Sequence, residues 1–229
     1  MQVLDRQLVA ALTRLDGCTI ANAIETFDVR LRNEGFGDAR VRCVFDEHPP
    51  VVGHAVTARI RTSAPPPVGH TYYDRTDWWN YIVTVPAPRI VVVEDVDSQI
   101  GRGAFAGQVH ANILRALGCV ALATNGAVRD VPGVGAIGFQ LFAGSIALSH
   151  AYVHIVDFGQ PVEIAGLPVA PGDIVYGDRH GLQTIPPEIA GAIPAVAADM
   201  IAREREVIGF CQSPEFSIER LRSLIRQLG

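Results

Sequence analysis

Apolar residues recur along this chain in two rhythms, and the rhythm changes several times. At the N-terminus, MQVLDRQLVAALTRL sets apolar positions three and four apart among charges, which predicts an amphipathic helix over 4–15. A second helix is expected over 19–27, with Thr19 as its N-cap. The apolar, β-branched run VVGHAVTARIRT (51–62) predicts a strand, and SAPPPVGH (63–70) a loop after it. YYDRTDWWNYI (72–82) reads as a short helix, and RIVVVEDV (89–96) as a buried strand ending in carboxylates. Helical spacing returns in GQVHANILRALG (107–118), with Val109, Ile113, Leu114 and Leu117 on one side and Gly118 as a natural stop. CVALAT (119–124) is the next strand. SIALSHAYVHIVDFG (145–159) reads as extended, followed by shorter strands near 161–164, 172–176 and 181–185. PPEIAGAIPAVAADMIAREREVI (186–208) predicts a long helix opened by Pro186 and Pro187 and kinked or divided at Pro194. A last helix covers about 215–227. Mixed helices and strands make an α/β domain, and the β-rich second half argues against a regular doubly wound sheet. No linker, repeat or low-complexity tract divides 1–229, so one domain is expected.

Composition narrows the function classes. Hydrophobic residues are 48% of the 229 and charged residues 19%, a globular balance. A net charge of −5 leaves no basic footprint, which argues against a nucleic-acid partner. No apolar run approaches the roughly 20 residues of a membrane helix. Charges run through the N-terminal apolar pattern, unlike a signal peptide. Cys18, Cys43, Cys119 and Cys211 are scattered, with no CxxC to suggest zinc or redox work. They predict reduced, mostly buried thiols and a cytoplasmic protein. The sharpest restriction is an absence: the chain has no lysine, so all 19 basic residues are arginine. Schiff-base chemistry, covalently anchored pyridoxal phosphate and an ordinary P-loop all need a lysine. Carbonyl chemistry here must rely on a metal ion or on hydrogen bonds.

One stretch suggests where. Ten residues of helix rise about 15 Å and six of strand cover about 20 Å. With Gly118 reversing the chain, residues 126–130 should return beside residues 107–110. A helix N-terminus favours an anion, and Gly107 lets a ligand approach its backbone closely. Arg129 can grip a carboxylate with two parallel hydrogen bonds. Asp130 offers the hard oxygen that Mg²⁺ or Mn²⁺ prefers. A small 2-oxo acid beside a divalent metal fits this description. On spacing alone, a surface ion pair worth about 0–1 kcal/mol is the more ordinary reading of Arg129–Asp130.

The run GQVHANILRALGCVALATNGAVRD, with VVGHAVTARI at 51–60, PGDIVYGDRHGLQTIPPEI at 171–189 and an altered TIANAIE at 19–25, resembles the RraA-like family. That family includes metal-dependent 4-hydroxy-4-methyl-2-oxoglutarate aldolases and the regulator of ribonuclease E activity. The resemblance implies an α/β/β/α sandwich with a barrel-like centre, similar to the swivelling phosphohistidine domains. It implies a homotrimer or homohexamer with sites at subunit interfaces, where the C-terminal helices 186–229 would pack. It places Gly107, Gln108, Val109 and His110 around the substrate through backbone amides, Arg129 on the substrate carboxylate, and Asp130 on Mg²⁺ or Mn²⁺. The implied reaction is class II lyase chemistry: a 2-oxo acid is cleaved to pyruvate through a metal-stabilised enolate, and oxaloacetate decarboxylation uses the same site. A non-catalytic regulator that binds a ribonuclease is the alternative; a phosphohistidine carrier has the fold but no recognisable carrier motif.

Two departures stand out. Gln108 replaces the family's acid after glycine, and Asn125 replaces the aspartate of Asp-Gly. An amide cannot ionise, so Gln108 cannot act as a base. Glu204 or Glu206 could supply the acid that a neighbouring subunit contributes in the aldolases, or simply face solvent. Glu94, Asp95 and Asp97 end a strand as solvated carboxylates, with Asp95 the candidate exception that could approach the metal. GVGAIG (133–138) spells a dinucleotide fingerprint without its strand and helix context, and reads as a turn. His150 and His154 suit packing or surface roles, His180 a turn and Cys119 a buried strand; Trp78 and Trp79 suit the core by default, or the cap of a pocket or subunit contact, and His110 either a donor to substrate at the pocket mouth or a core or rim histidine.

Overall fold

A computed structural model of the chain describes residues 4–66 and 76–228. Parts of the expected loop at 63–70 and of the expected helix at 72–82 lie outside the described residues. The elements in order are α1 (Arg6–Leu12), α2 (Gly17–Glu25), β1 (Arg42–Cys43), β2 (Val51–Arg61), α3 (Thr76–Thr84), β3 (Arg89–Asp95), β4 (Ala104–Ala106), α4 (Gln108–Ala116) and β5 (Cys119–Val128). Then come α5 (Val131–Ala136), β6 (Gln140–Ile146), β7 (His154–Phe158), β8 (Val162–Ile164), β9 (Leu167–Val169), β10 (Ile174–Asp178), β11 (Gly181–Ile185), α6 (Ile193–Cys211) and α7 (Ile218–Leu228).

Nine strands form one sheet in the order β1-β6-β5-β3-β2-β10-β11, with β4 on β5 and β7 on β2. Its centre, β2, β3, β5 and β6, is parallel. Parallel neighbours need crossovers, and α3, α4 and α5 supply them. The second half adds antiparallel strands, β7 and β10 on β2 and β11 on β10. The α/β class therefore holds, and the departure from a doubly wound sheet is real.

The sheet curls into a nearly closed barrel. Phe142 on β6 and Gly177 on β10 have three strands between them in the sheet order, yet a Cβ at Gly177 would lie 2.5 Å from Phe142 Cζ. Phe142 is thus the plug of the interior, and Gly177 makes room for its ring. Ile90, Val92, Ala121, Ala123 and Val175 complete that inner cluster. The alternate residues Val91, Val93 and Leu122 face outward, against Trp78 and Ile82 of α3 and Ala111 and Leu114 of α4. Because β3 is buried on both faces, RIVVVEDV shows no polar alternation. A third cluster packs α1, α2 and α6 on Val52, Ile174, Tyr176 and Ile185.

Several boundaries moved. Asp16, not Thr19, caps α2; its carboxylate accepts the Thr19 N–H at 2.9 Å. β5 continues through NGAV to Val128, with Asn125 and Gly126 at a register shift between the paired residues Thr124 and Ala127. Residues 145–159 split: β6 ends at Ile146 and β7 starts at His154. GVGAIG is no turn; most of it lies in α5, with Pro132 in the first turn where a missing N–H costs nothing. α6 starts at Ile193, and Pro194 sits in its first turn instead of kinking it. Cys119 is buried as expected, Cys43 half-buried, and Cys18 and Cys211 are exposed, so the expectation of mostly buried thiols fails. No helix among the described residues is long and apolar enough to cross a membrane.

Candidate functional site

The pair Arg129–Asp130 and the start of α4 are held side by side by β4. This three-residue strand is parallel to β5, with Ala104 opposite Ala127 and Ala106 opposite Val128. The Arg129 N–H continues the ladder to Ala106 O at 2.9 Å. The return of residues 126–130 to residues 107–110 thus happens, through a strand too short and too rich in alanine to show a pattern.

Gly107 is the N-cap of α4 and contributes no side-chain cap. Asp130 replaces it: its Oδ2 accepts the Gln108 N–H at 3.1 Å. A Cβ at Gly107 would fall on that same Oδ2 and lie 3.1 Å from Arg129 Cγ, so glycine is what allows this approach. Asp130 itself has a left-handed backbone, φ 54°, a region that aspartate and asparagine tolerate better than most residues. Arg129 Nη1 donates to Leu148 O at 3.3 Å, and its Nε lies 3.6 Å from Asp130 Oδ2.

These groups open on a cavity of about 150 Å³. Trp79 and Ile113 form its apolar wall; Gly107, His110, His150, Arg129 and Asp130 form the polar one, and Val109 stands at the edge. The volume suits a small-molecule ligand, several times the roughly 30 Å³ that one water occupies in the liquid. Val109 is 72% exposed, so it does not share the side on which its spacing groups it with Leu114; His110, Ala111 and Leu114 are the buried residues of the helix. Trp78 is core, but its neighbour Trp79 reaches the cavity.

His110 is buried edge-on against Phe105, with Nδ1 3.4 Å from Phe105 O. Burial pushes its pKa down to about 4, so the ring is neutral at pH 7. The depressed value makes the unfolded chain bind more protons between about pH 6.5 and 4. Stability from this group is therefore intact above pH 6.5 and declines as pH falls towards 4, by about 3 kcal/mol in all. Urea unfolding at stepped pH should show that slope, and His110→Gln should flatten it; an unchanged slope refutes the assignment.

The acids around the β3 terminus have structural duties. Asp95 is buried and accepts N–H groups from Gly101 at 2.8 Å and Asp97 at 3.1 Å. Burial raises its pKa. Asp97 bonds to the backbone of Thr62 and Ser63. Asn125 spans the fork between β3 and β5: Oδ1 accepts the Asp95 N–H at 2.7 Å, and Nδ2 donates to Asp95 O at 3.1 Å. Gln108 is exposed and lies over α5, where a Cβ at Gly133 would come within 2.5 Å of its Oε1. Glu204 and Glu206 are exposed on α6 and do not line the cavity. His154 is buried with Nδ1 on Tyr152 O. His150, expected to pack or face solvent, lines the cavity with Nδ1 3.2 Å from Ala104 O. Its only sequence signal was a histidine in a small-residue loop between two strands.

Among the described residues, Asp130 is the one exposed carboxylate lining the cavity, with oxygen lone pairs to spare beyond its bond to Gln108 N. Mg²⁺ commonly takes one or two protein carboxylates and keeps water and substrate oxygens for the rest, so this donor set fits Mg²⁺ or Mn²⁺.

The family described as RraA-like, Aldolase/RraA, matches residues 17–183. A protein of Halalkalibacterium halodurans provisionally named a 4-hydroxy-4-methyl-2-oxoglutarate aldolase is 29% identical over 126 residues, 53% of this chain. The chain spans 60% of the length of that curated relative. Among solved structures, Streptomyces coelicolor RraAS2, an unusual member of the RNase ES inhibitor RraA protein family, superposes with a TM-score of 0.69 at 21% identity, covering 90% of this chain and 97% of its own. A chain from a study of novel cellulases from microbes of the gut ecosystem gives a TM-score of 0.74 at 18% identity, covering 90% of this chain and 89% of its own. At such identities the two structures speak for the fold alone.

Proposed function

The chain belongs to the RraA-like family, and on that footing we propose that it is a divalent-metal-dependent lyase that releases pyruvate from a small 2-oxo acid. A 4-hydroxy-4-methyl-2-oxoglutarate-type substrate would undergo retro-aldol cleavage, and oxaloacetate would lose carbon dioxide at the same site. The observation that carries the reading is the convergence of a helix N-terminus, one guanidinium and one open carboxylate on a cavity of about 150 Å³. The family's aldolase member named above supports it.

Arg129 holds the substrate carboxylate, and the first turn of α4 presents N–H groups and a positive dipole end to the oxygen that gains charge. Asp130 is the residue that would hold Mg²⁺ or Mn²⁺, which supplies Lewis-acid polarisation of the 2-oxo group when bound. Trp79 and Ile113 exclude water, and His110 lines the wall without adding a charge. Retro-aldol cleavage also requires a base. As the C3–C4 bond breaks, its electron pair moves towards the 2-oxo oxygen and the 4-hydroxyl proton must leave. Gln108 cannot take it. His150 can: Ala104 O fixes its Nδ1 as the donor, which leaves Nε2 with the lone pair. Decarboxylation of oxaloacetate removes no hydroxyl proton and does not need this base.

Exposed apolar residues complete the picture. Ile146, Leu148 and Tyr152 stand out beside the cavity loop, and α7 buries none of its residues in this chain. We place the protein in a homotrimer or homohexamer in which α6 and α7 cover a neighbour.

The test is a pyruvate assay over a panel of 2-oxo acids, on protein whose solution mass corresponds to three or six chains. Release should require Mn²⁺ or Mg²⁺ and stop with EDTA. His150→Gln should lose aldol cleavage and keep oxaloacetate decarboxylation. Release that ignores EDTA ends the proposal, and no release from any panel member ends it in favour of a regulator.

A further inference from the structure

A second constellation lies where the start of α2 meets the β10–β11 hairpin. The ligand atoms of Asp16, Cys18 and His180 lie within 4.8 Å of one another. A carboxylate oxygen, a sulfur and an imidazole nitrogen converge there from two segments more than 160 residues apart. Sequence spacing concealed it, because the cysteine belongs to no CxxC and the histidine sits in a hairpin turn.

The platform beneath the three is rigid. Tyr176 OH donates to Leu15 O at 2.6 Å, and Gln183 Nε2 donates to Gly17 O at 2.7 Å. Gly17 N–H donates to Asp178 Oδ2 at 2.7 Å, and a Cβ at Gly17 would lie 3.0 Å from Asp178 Oδ1. Glycine thus lets the helix start close against β10, and this brings Asp16 and Cys18 to the hairpin. Asp16 is fixed as the α2 N-cap by the Thr19 N–H and hydroxyl, at 2.9 and 2.8 Å. Two hydrogen bonds leave a carboxylate lone pairs for a cation.

His180 is oriented by a buried acid. Asp178, 4% exposed, accepts the His180 N–H at 2.8 Å and faces His180 Nδ1 at 3.2 Å. A carboxylate on one ring nitrogen sets the tautomer, so Nε2 carries the lone pair that a metal needs. The same carboxylate–histidine arrangement stands behind many metal-bound imidazoles. Asp16, Cys18 and His180 are all exposed, so an ion can reach them.

We propose that Asp16, Cys18 and His180 bind a transition-metal dication of the Zn²⁺ class, with Asp178 as the positioning residue for His180 and a fourth position left to water or a small ligand. Edges of a tetrahedral zinc site measure about 3.3–3.8 Å, so rotation of exposed side chains closes the gap. Sulfur and nitrogen donors select Zn²⁺ or Co²⁺ over the Mg²⁺ suited to Asp130. The site is independent of the cavity around Arg129.

Full-length protein stripped with EDTA and desalted tests this. Titration with Co²⁺ should give one equivalent of a thiolate-to-cobalt charge-transfer band, and Zn²⁺ should abolish that band by displacement. Cys18→Ser should remove the band, His180→Ala should weaken Zn²⁺ binding more than about tenfold, and Zn²⁺ should raise Tm in the wild type and not in Cys18→Ser. Asp130→Asn and Cys211→Ser should leave all three readouts unchanged. No band, or a band that survives Cys18→Ser or disappears in Cys211→Ser, overturns the proposal.

Discussion

Asp130→Asn is expected to lower metal-dependent pyruvate release on the order of 10³-fold, about 4 kcal/mol of transition-state stabilisation, with unfolding free energy changed by less than about 1 kcal/mol. Asparagine is the informative choice because of φ 54° at this position. It accepts the left-handed backbone, and its Oδ1 can still receive the Gln108 N–H, whereas alanine would add backbone strain to the loss of charge. The loss should appear in kcat, since the metal's contribution grows as charge develops on the 2-oxo oxygen. Steady-state kinetics at saturating Mn²⁺ checks it. Wild-type kcat in the variant would show that Asp130 is only a helix cap.

Arg129→Met should act on the other parameter. The guanidinium meets a carboxylate that is charged before, during and after bond cleavage, so its removal mainly raises KM. A drop in kcat/KM of about 10²–10³-fold is expected, the cost of about 3–4 kcal/mol for an unpaired, partly desolvated carboxylate. Arg129→Lys should recover only part of it, because an ammonium offers no planar fork. Arg129 Nη1 also holds Leu148 O, and Leu148 is 98% exposed, so the fold has little to lose. A variant with unchanged KM and a lowered kcat would place Arg129 on the developing charge instead of the substrate carboxylate.

How far the sequence could be read depended on the range of the forces involved. α4 and β5 were legible because Gly107, Gly118 and the apolar run between them act locally. The closeness of Arg129–Asp130 to Gly107 followed from arithmetic on helix rise and strand length. What failed was long-range. Spacing grouped Val109 with Leu114 on one side of its helix, but the buried residues there are His110, Ala111 and Leu114. GVGAIG looked like a turn by composition, yet Asp130 and Pro132 start a helix there. His150 carries no pattern, and only the pairing of β4 with β5 and the loop after β6 bring it to the cavity. The Cys18–His180 cluster was illegible for the same reason, since it depends on how α2 seats on β10.

Asn125 offers a last consequence. Its amide both gives and receives at the Asp95 peptide, a task no carboxylate can perform. An aspartate introduced at 125 would set a second anionic oxygen against the Asp95 carbonyl, beside an acid already buried. Restoring the family's acid here is therefore not a neutral repair: the residue 95 carbonyl would lose its donor whatever side chain stood at 95, so no companion substitution there mends the seam between the two central strands.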